Sequence, residues 1–536
     1  MRVLTAAEMG ETDRRTAEEF GVPLGALMEK AGGAVATFVR RRYPKARHVV
    51  ALCGKGNNGG DGMVAARVLH DAGVHTQVIL LGRMADLRGE ASEALSRLRS
   101  TNSGIQVLEV TEEGGLRRAF ERAGLTGTDG EVEADLVLDS VVGTGFRPPL
   151  RGLAVAARDL VNALAIPVIA VDVPSGWDAD SMDQTAEGAF RADGVVTFTA
   201  PKLAHVFGYM TSGPVVVAGI GSPDEAVPHG NGLVWGGGSK AIAEKPRGPN
   251  SNKGKFGHVM VVGGSYGTAG APAMASLAAL RTGAGLVTAA VPKSVVDLVG
   301  GVAPELMVKP LEEGQEGAVA LSNIEGQRLE DLLQRITVLA LGPGLSQRED
   351  AGAVARELVA RVKIPMVVDA DGLNAFDGRD DLLHGAGRTM VLTPHPGEMA
   401  RLTGLTVKEV EADRIGLARE FAMQHRLTLV LKGWRTLVAH PSGRLAVNTS
   451  GNPSMSKGGS GDILTGVVAA MLAQYPEDTE RAVEAAVYLH GLAGDFAAGS
   501  MDEHTVLATD TVMHFSDAFR YRVQDEDGLT WICGLR

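Results

Sequence analysis

Short apolar runs that end in glycine-rich or acidic loops recur along this chain, and helix-like segments separate most of them. Residues 48–53 form one such run, glycines follow it directly, and residues 63–72 have the apolar spacing of a helix. Strands that alternate with helices pair in parallel, because a helical crossover returns the chain to the same end of the sheet. The sequence therefore predicts the α/β class.

The alternation runs through two series and fails between about residues 222 and 252, where Pro, Gly and polar residues dominate. One hydrophobic core rarely serves 536 residues, so we predict a first domain over 1–225, a boundary over 226–252 and a second domain over 253–524. The predicted strands of the first domain are 48–53, 76–81, 135–142, 167–173 and 194–198. Those of the second domain are 258–264, 286–291, 337–341, 365–369, 390–393 and 428–431, with a hairpin at 435–439 and 444–448.

Charge and cysteine content exclude several classes of function. The formal net charge of -12 argues against a nucleic-acid partner, because neutralising phosphates takes clustered Lys and Arg. Cys53 and Cys533 stand far apart and outside any metal-ligand spacing, so neither a disulfide framework nor a zinc site is expected. The sequence also lacks a signal-like start and any apolar run near ~20 residues, so we expect a cytoplasmic protein without a membrane partner.

The loop after the first predicted strand is rich in glycine and in polar side chains. Gly54, Gly56 and Gly59 fit the GxGxxG spacing of dinucleotide-binding turns. The next strand lacks the acidic end residue that a NAD-dependent dehydrogenase needs, which argues against that class. Asn58 and Asp61 add oxygen atoms that suit a cation or a hydroxyl group. A tight Asn/Gly turn without a ligand is the alternative interpretation.

Two further loops of this character follow predicted strands of the first domain. Asp139 precedes the glycine- and proline-rich residues 143–149, and Asp172 precedes Ser175 by three positions. The carboxyl ends of parallel strands lie at one edge of a sheet, so the three loops should converge on one crevice. A lone aspartate at such a point is more often a helix cap, but three such loops in one domain favour a ligand site.

Together these motifs resemble the NAD(P)H-hydrate epimerase family over about residues 1–225. The resemblance implies a Rossmann-like three-layer domain that inverts carbon C6 of hydrated NADH or NADPH, with Asp172 as a proton shuttle. It also implies a potassium ion held by Asn58, Asp139 and Ser175, since oxygen ligands suit a hard cation. The residues that would contact the hydrated cofactor are Asn57, Asn58, Gly59, Gly60, Asp61, Gly143, Thr144, Gly145, Phe146, Arg147, Pro148, Pro149 and Asp172.

The strongest signal in the sequence is the glycine-rich segment 458–462, which runs directly into an apolar helix predicted at 463–474. Consecutive N–H groups and the helix dipole at such a junction form a site for phosphate. The segment is not a Walker A loop, which requires GxxxxGK[ST]. Asp462, at the end of the segment, is either an ordinary N-cap of the helix or an acidic residue of an active site.

Several other loops of the second domain follow predicted strands or join them, at 263–271, 342–344, 369–374, 393–398 and 432–436. Lys432 and Trp434 offer a cation and an aromatic plane beside a purine or a phosphate group. The same residues could instead serve only as a hairpin turn. His395, taken alone, is more typical of a structural histidine than of a catalytic one.

This set of loops resembles the ribokinase-like superfamily, and within it the NAD(P)H-hydrate dehydratase family, over about residues 235–522. The resemblance implies that Asp462 takes the proton of the C6 hydroxyl as that oxygen attacks a nucleotide's terminal phosphate, while Mg²⁺ and the loop amides absorb charge. The phosphate then leaves, and NADH or NADPH is regenerated. The residues that would face the hydrated cofactor are Ala271, Gly344, His395 and Asp462. Those that would hold the nucleotide are Lys432, Gly433, Trp434, Arg435, Thr436 and Gly461.

The two resemblances together predict a bifunctional repair enzyme that epimerises the R and S hydrates and then dehydrates the S form. ADP is expected as the donor, with release of AMP and phosphate, by resemblance alone, because no residue of the chain distinguishes ADP from ATP. The alternative is a ribokinase-like kinase for a vitamin precursor or a sugar, with a non-catalytic binding module as its N-terminal half. We also expect a homo-oligomer.

Overall fold

A computed structural model describes residues 1–100, 104–126, 132–230 and 232–536. The chain forms two compact units, Met1–Asn231 with Arg522–Arg536, and Gly232–Tyr521. Each unit contains one predominantly parallel sheet with helices, so the predicted two-domain α/β fold is confirmed. Among the described residues, no helix is long and apolar enough to cross a membrane.

The first unit is built on an eight-stranded sheet in the order β18-β7-β6-β5-β4-β1-β2-β3. All neighbouring strands pair in parallel except β18, which pairs antiparallel with β7. Its strands are β1 (His48–Cys53), β2 (His75–Leu81), β3 (Gln106–Val110), β4 (Leu136–Ser140), β5 (Val168–Val171), β6 (Gly194–Phe198), β7 (Val215–Ala218) and β18 (Leu529–Cys533). Its helices are α1 (Ala6–Glu18), α2 (Leu24–Arg42), α3 (Asn57–Asp71), α4 (Gly89–Ser100), α5 (Glu113–Arg122), α6 (Leu153–Asn162) and α7 (Leu203–Phe207).

Both faces of this first sheet are covered by helices. Side chains of β1 alternate between two apolar cores: Val49 and Ala51 pack with α2, α3 and α4, whereas Val50 and Leu52 pack with α5 and α6. A strand that is buried on both faces needs an almost continuous apolar sequence, which β1 has. The first unit is therefore a three-layer α/β domain, as predicted.

The second unit is built on a ten-stranded sheet in the order β11-β10-β9-β12-β13-β14-β15-β16-β17-β8. It is parallel from β11 to β15, and the predicted hairpin follows as the antiparallel strands β16 and β17. Its strands are β8 (Leu233–Trp235), β9 (His258–Val262), β10 (Leu286–Pro292), β11 (Met307–Leu311), β12 (Val338–Leu341), β13 (Met366–Val368), β14 (Met390–Leu392), β15 (Thr428–Leu431), β16 (Leu437–Ala439) and β17 (Leu445–Val447). Its helices are α8 (Gly270–Thr282), α9 (Val296–Gly300), α10 (Arg328–Leu333), α11 (Glu349–Arg361), α12 (Asp371–Asn374), α13 (Pro396–Thr403), α14 (Val407–Ala412), α15 (Arg414–His425), α16 (Ser460–Gln474), α17 (Thr479–Ser500), α18 (Ala508–Met513) and α19 (Phe515–Arg520).

The structure differs from the sequence expectation at both ends of the second domain. Within the expected boundary 226–252, Asn231 lies outside the described residues, and β8 already belongs to the second sheet, where it pairs with β17. Trp235 of β8 is 2% exposed, and its Nε1 donates a hydrogen bond to Thr449 Oγ1 at 2.8 Å. At the other end, Arg522–Arg536 belongs to the first unit through β18. Local composition marks a turn-rich stretch but does not reveal such edge pairings, because the partner strands lie far away in sequence.

Candidate active sites

The loops after β1, β4 and β5 meet at a cavity of about 590 Å³ in the first unit. The parallel order of these strands explains the meeting, since their carboxyl ends lie side by side. The predicted contact residues that line this cavity are Asn57, Asn58, Asp61, Gly143, Thr144, Gly145, Phe146 and Asp172. Asp13 of α1, Leu27 of α2 and Lys202 contribute other walls.

Five predicted contact residues do not belong to the described lining of this cavity: Gly59, Gly60, Arg147, Pro148 and Pro149. Gly59 serves close packing, because a Cβ there would lie 2.0 Å from the carbonyl oxygen of Gly54. Arg147 forms ion pairs of 2.7 Å with both Asp178 and Asp180. Its charge is therefore engaged outside the cavity in this structure.

Asp172 follows β5 and has a left-handed backbone with φ 70°. Its Oδ2 accepts a hydrogen bond of 2.8 Å from the main-chain N–H of Thr144 and another from the Thr144 hydroxyl. Its Oδ1 accepts a bond of 2.9 Å from Thr197 Oγ1 and pairs with Lys202 Nζ at 3.0 Å. A non-glycine residue stays at positive φ only where its neighbours hold it, and such strain concentrates at functional sites.

Lys202 and His205 complete the surroundings of Asp172, and neither lies in one of the sequence motifs. His205 Nε2 donates a hydrogen bond of 2.7 Å to the main-chain oxygen of Asp172, and its Nδ1 accepts one of 3.0 Å from the Lys202 N–H. Burial and the Lys202 charge lower the pKa of His205 to about 4, so its ring is neutral. Burial alone would raise the pKa of Asp172, but the Lys202 charge and the hydrogen bonds from Thr144 hold that pKa below its usual range.

Two more carboxyl groups, Asp13 and Asp61, line the same cavity. Burial raises the pKa of Asp13 to about 6, against the opposing effect of the Lys202 charge. Burial and the charges of Asp172 and Asp13 raise the pKa of Asp61 well above its usual value. The cavity thus combines one carboxylate that is kept ionised with two that bind protons more readily, which suits acid–base chemistry.

The three residues expected to hold potassium come from α3, β4 and the loop after β5. Ser175 N–H donates a hydrogen bond of 2.7 Å to Asp139 Oδ2. Both Asn58 side-chain polar atoms are buried and have no hydrogen-bond partner in the described part of the chain. Burial raises the pKa of Asp139 to about 6 despite its bonds from Ser175. An unpartnered amide oxygen and a buried, poorly compensated carboxylate are groups that a cation would stabilise, so these residues fit the ion.

In the second unit, α16 begins at Ser460, with Gly459 as its N-cap in the left-handed conformation at φ 98°. No side chain of the described residues caps this terminus, and Asp462, at the third position of the helix, is not an N-cap. A side chain at position 459 would collide with Met274, because a Cβ there would lie 2.7 Å from its sulfur atom. The first-turn N–H groups and the dipole of this 15-residue helix therefore present an anion-binding terminus.

Asp462 lies within electrostatic range of a cluster formed by the buried Asp369 and Glu398 and the half-buried Lys432. Lys432 Nζ is 2.9 Å from Asp369 Oδ1 and 3.7 Å from Glu398 Oε2. Thr465 Oγ1 donates a hydrogen bond of 2.7 Å to Asp369 Oδ2. Burial and the charge of Asp369 raise the pKa of Asp462 to about 6, and Lys432 opposes that shift. A carboxylate with such a pKa is suited to act as a general base near neutral pH.

Ala271 and Gly344, both expected to face the hydrated cofactor, are brought together. An added Cβ at Gly344 would lie 3.1 Å from Ala271 Cβ and 2.8 Å from the main-chain oxygen of Thr268. Gly344 also has φ 63°, so this close approach requires a glycine. Thr268 Oγ1 fixes the contact by donating a hydrogen bond of 2.7 Å to the Gly344 oxygen.

His395 is the N-cap of α13. Its Nδ1 accepts hydrogen bonds from the N–H groups of Gly397, at 3.0 Å, and Glu398, at 3.3 Å. Glu398 Oε2 accepts one of 2.8 Å from the His395 N–H, which completes a capping box. The His395 side chain is nevertheless 50% exposed, and Glu398 links it to Lys432. His395 therefore has the structural role that the sequence favoured, as the cap of α13, and it also lies beside the cluster of Asp369, Glu398 and Lys432.

All six residues expected to contact the nucleotide line one cavity of about 410 Å³. Trp434 is 40% exposed, and the guanidinium carbon of Arg435 lies 4.4 Å from its ring centre. Gly461 of the α16 terminus and Lys432 line the same cavity. A cation, an exposed indole and a helix N-terminus are groups that recognise phosphate and an aromatic base.

Two residues beside this cavity, His490 and Asp495, belong to none of the sequence motifs. His490 of α17 lines it, and its Nε2 is buried without a hydrogen-bond partner in the described structure. Asp495 accepts bonds from Gly451 N, at 3.0 Å, and Asn452 Nδ2, at 2.9 Å, and so holds the cavity loop. Both are polar residues inside the largely apolar helix α17, which was the available signal for such roles, since buried polar groups need partners.

The comparisons with known proteins place both halves of the chain. A family model described as NAD(P)H-hydrate dehydratase matches residues 259–515, and one described as YjeF-related protein N-terminus matches residues 24–204. The bifunctional NAD(P)H-hydrate repair enzyme of Moorella thermoacetica is 39% identical over 517 residues, which cover 95% of each chain. The chain belongs to this family of repair enzymes.

Membership of the repair-enzyme family confirms the resemblance read from the motifs. The family's Escherichia coli member is 33% identical and covers 94% of this chain and 91% of its own. A crystal structure of the ADP/ATP-dependent NAD(P)H-hydrate dehydratase of Bacillus subtilis, obtained with ATP and Mg²⁺, is 28% identical. It covers 55% of this chain and 99% of its own, with a TM-score of 0.45.

Proposed function

We propose that this repair-enzyme chain carries out two reactions on hydrated NADH and NADPH (NADHX and NADPHX). The first unit interconverts the R and S hydrates, and the second unit dehydrates the S form at the expense of a nucleotide. The observation that carries the proposal is the position of Asp462, an acidic residue with a raised pKa in the first turn of α16, beside the cavity that Lys432 and Gly461 line.

In the second unit, Asp462 accepts the proton of the C6 hydroxyl as that oxygen attacks the terminal phosphorus of the nucleotide. The N–H groups at the start of α16 and the Lys432 ammonium stabilise the negative charge on the transferred phosphoryl group. The bond from C6 to the phosphorylated oxygen then breaks, driven by the ring nitrogen lone pair, and loss of a ring proton restores the dihydropyridine. With ADP as donor, the products are NADH or NADPH, AMP and inorganic phosphate.

Mg²⁺ is proposed to enter this site with the nucleotide. Among the described residues, no cluster of three or more His, Cys, Asp or Glu side chains could hold a metal ion. Mg²⁺ commonly binds through substrate phosphates with one or two carboxylates. The candidates are Asp369 and Glu398, both of which pair with Lys432. When bound, the ion would neutralise charge on the nucleotide phosphates.

In the first unit, Asp172 is proposed to move the proton of the water that leaves or attacks C6. Loss of the hydroxyl group leaves a ring iminium, which water attacks from either face, so the two epimers interconvert. The carboxylate of Asp172 stabilises the positive charge of that ring, while Phe146 and Leu27 contribute apolar walls to the same cavity. Asn58, Asp139 and Ser175 would hold potassium, which supplies a fixed positive charge beside the substrate.

A coupled absorbance assay tests the proposal. The intact protein is incubated with mixed NADHX epimers, K⁺, Mg²⁺ and either ADP or ATP, and the absorbance of the reduced nicotinamide is followed. Conversion of both epimers, with AMP and phosphate released from ADP, is expected. A stable phosphorylated product would instead indicate the alternative, a small-molecule kinase. A homo-oligomeric assembly and a cytoplasmic location belong to the same proposal, and sedimentation and cell fractionation test them.

A further inference from the structure

Three residues of the first unit surround Asp172 without having a role in the reaction proposed for it. Thr197 lies in β6, Lys202 follows β6, and His205 lies in α7. We call these three residues the Asp172 bracket. All three are buried, with 0%, 1% and 1% of their surfaces exposed, respectively.

Within the Asp172 bracket, the buried Lys202 contacts the side chain of Asp172. Lys202 Nζ lies 3.0 Å from Asp172 Oδ1, 2.8 Å from Thr197 Oγ1 and 3.3 Å from the main-chain oxygen of Phe198. Taking an ammonium group out of water is costly, and an apolar side chain of similar volume would fill the same space at lower cost. A buried lysine with three oxygen partners at this position therefore indicates a use for its charge.

Within the Asp172 bracket, His205 contacts the main chain of Asp172. His205 Nε2 donates a hydrogen bond of 2.7 Å to the carbonyl oxygen of Asp172, and the N–H of Asp172 donates one of 2.8 Å to the Val196 oxygen. These two bonds hold the residue in its left-handed conformation, which costs energy for any residue with a Cβ. His205 Nδ1 accepts the N–H of Lys202, which joins the two parts of the bracket.

We propose that Lys202, Thr197 and His205 are positioning residues for epimerisation: they fix the carboxylate of Asp172 as an anion and aim it into the cavity. This inference rests on the function proposed above for the first unit. Thr144 holds the second carboxylate oxygen from the opposite loop, so both oxygens of Asp172 have defined directions.

The other charged groups of the cavity explain why the positive charge of Lys202 is needed beside Asp172. The charged and titratable groups that line it are Asp13 on α1, Lys55 before α3, Asp61 on α3, Glu90 on α4, Asp172 and Lys202, with His205 behind Asp172. Three of these carboxyl groups interact electrostatically with one another and with Lys202. Without the Lys202 charge, Asp172 would bind a proton more readily in the presence of Asp13 and Asp61.

The test is the Lys202→Met variant of the full chain, which keeps the volume of the side chain and removes its charge. Interconversion of purified R- and S-NADHX is followed chromatographically as a function of pH. We expect kcat to fall about 100-fold with KM within about threefold, since positioned proton transfer contributes of that order. The acid limb of the kcat profile moves to higher pH, and Lys202→Arg restores part of the rate.

A matched pair at His205 separates positioning from folding. His205→Gln keeps an N–H donor for the Asp172 oxygen and should retain most of the rate, whereas His205→Phe should lose it. His75→Gln, on the exposed end of β2, is the control and should behave as wild type. Dehydration of S-NADHX by each preparation shows that the rest of the chain is intact.

Two results would overturn the inference: Lys202→Met with kcat within threefold of wild type, or His205→Phe equal to His205→Gln. If Lys202→Met does not fold, Thr197→Val decides the matter. That variant should lose about tenfold in kcat, and an unchanged kcat would contradict the proposal. Absence of epimerisation in the wild-type protein would instead refute the function proposed for the first unit.

Discussion

Asp172 is a buried aspartate and Asp462 a half-buried one, each beside a cavity, and their surroundings shift their pKa values in opposite directions. Asp172 has an ammonium nitrogen at 3.0 Å, and this charge keeps the carboxyl group ionised although burial alone would raise its pKa. The lysine near Asp462 is already paired with Asp369, so burial and the Asp369 charge raise the pKa of Asp462 to about 6. At the scale of single residues, the partner of the nearest lysine decides which carboxylate readily accepts a proton.

Replacement of Asp462 tests its role as the base of the dehydration. Asp462→Asn keeps the shape of the side chain but cannot accept the proton, so we expect kcat to fall by about 10²- to 10⁴-fold. Nucleotide affinity, measured by calorimetry with ADP and Mg²⁺, should change little, because Lys432 and residues 433–436 remain. Asp510→Asn, in the capping box of α18, is the control. Near-normal turnover by Asp462→Asn would exclude the base role.

The pH dependence of dehydration follows from the same pKa. Only the ionised form of Asp462 accepts a proton, and its pKa is raised to about 6, so kcat should decrease as the pH falls through about 6. Stopped-flow absorbance measurements with S-NADHX between about pH 5 and 8, a range that brackets this pKa, provide the dependence of kcat on pH. A rate that stays constant across this range would show that another group controls the proton transfer.

At the scale of secondary-structure elements, a buried polar network joins α17 to the hairpin β16–β17. Glu484 of α17 accepts hydrogen bonds of 3.0 Å from both Arg444 Nε and Arg444 Nη2, and it pairs with His440 Nε2 at 3.2 Å. Ser239, from the segment after β8, also donates to it. Burial alone would raise the pKa of Glu484, but His440, Arg444 and Ser239 hold it below the ordinary value. This network fixes elements that carry the nucleotide cavity.

Glu484→Ala should lower the free energy of unfolding of the second unit by about 3–5 kcal/mol at neutral pH, as is usual when one partner of a buried ion pair is removed. Because the pKa is lowered in the folded protein, the contribution is complete above the ordinary glutamate pKa and is lost as the pH falls below it. Denaturant unfolding at neutral and acidic pH measures both effects. Glu480→Ala, one turn earlier on α17, should cost less than about 0.5 kcal/mol.

The strands that could be predicted from the sequence are those that a local run of apolar residues marks. The runs at β1, β2, β6, β9 and β15 were recognised because several apolar residues precede glycine or polar loops. Strands β3, β7, β8, β11 and β18 were missed. The short runs of β8, at a turn-rich stretch, and β18, near the chain end, become strands only through pairing with β17 and β7. The start of α16 was placed three residues late, because glycine and serine have low helix propensity and the tertiary packing overrides it.

At the scale of the whole molecule, the chain leaves the second unit and returns to complete the first sheet. Trp531 of β18 is 2% exposed, packs 6.0 Å from the ring centre of Phe38 and donates through Nε1 to Asp525 Oδ2 at 2.9 Å. Residues 1–225 alone therefore lack an edge strand and part of their apolar core. An isolated first unit needs residues 522–536 as well.

Trp531→Ala should lower the unfolding free energy of the first unit by about 3–5 kcal/mol, the usual cost of truncating a buried aromatic side chain. Epimerisation should therefore be lost at a lower temperature than in wild type, whereas dehydration of S-NADHX should keep its wild-type temperature dependence. Glu526→Ala, at an exposed position before β18, is the control. Equal thermal sensitivity of both activities in Trp531→Ala would contradict the assignment of β18 to the first unit.

The two sites differ in how far sequence could define them. All six residues expected to contact the nucleotide line one cavity. Five of them, residues 432–436, join the neighbouring strands β15 and β16, and Gly461 lies in the first turn of α16, which follows β17. In the first unit, Lys202 and His205 escaped selection, since only the fold brings residues some 30 positions after Asp172 to its side. Arg147 was expected at the cavity, but it pairs with Asp178 and Asp180. These two aspartates lie outside the motif 143–149, so the motif alone could not predict the pairing.

One measurement tests the central claim that two separate carboxylates perform two successive reactions. Purified R-NADHX is mixed with ADP, Mg²⁺, K⁺ and the wild-type, Asp172→Asn or Asp462→Asn protein, and both NADH formation and the R-to-S ratio are followed. We predict that wild type converts the R-hydrate completely to NADH. Asp172→Asn should form NADH no faster than R-NADHX epimerises spontaneously, and Asp462→Asn should equilibrate the epimers without forming NADH. Wild-type rates of NADH formation from R-NADHX by either variant would contradict the account.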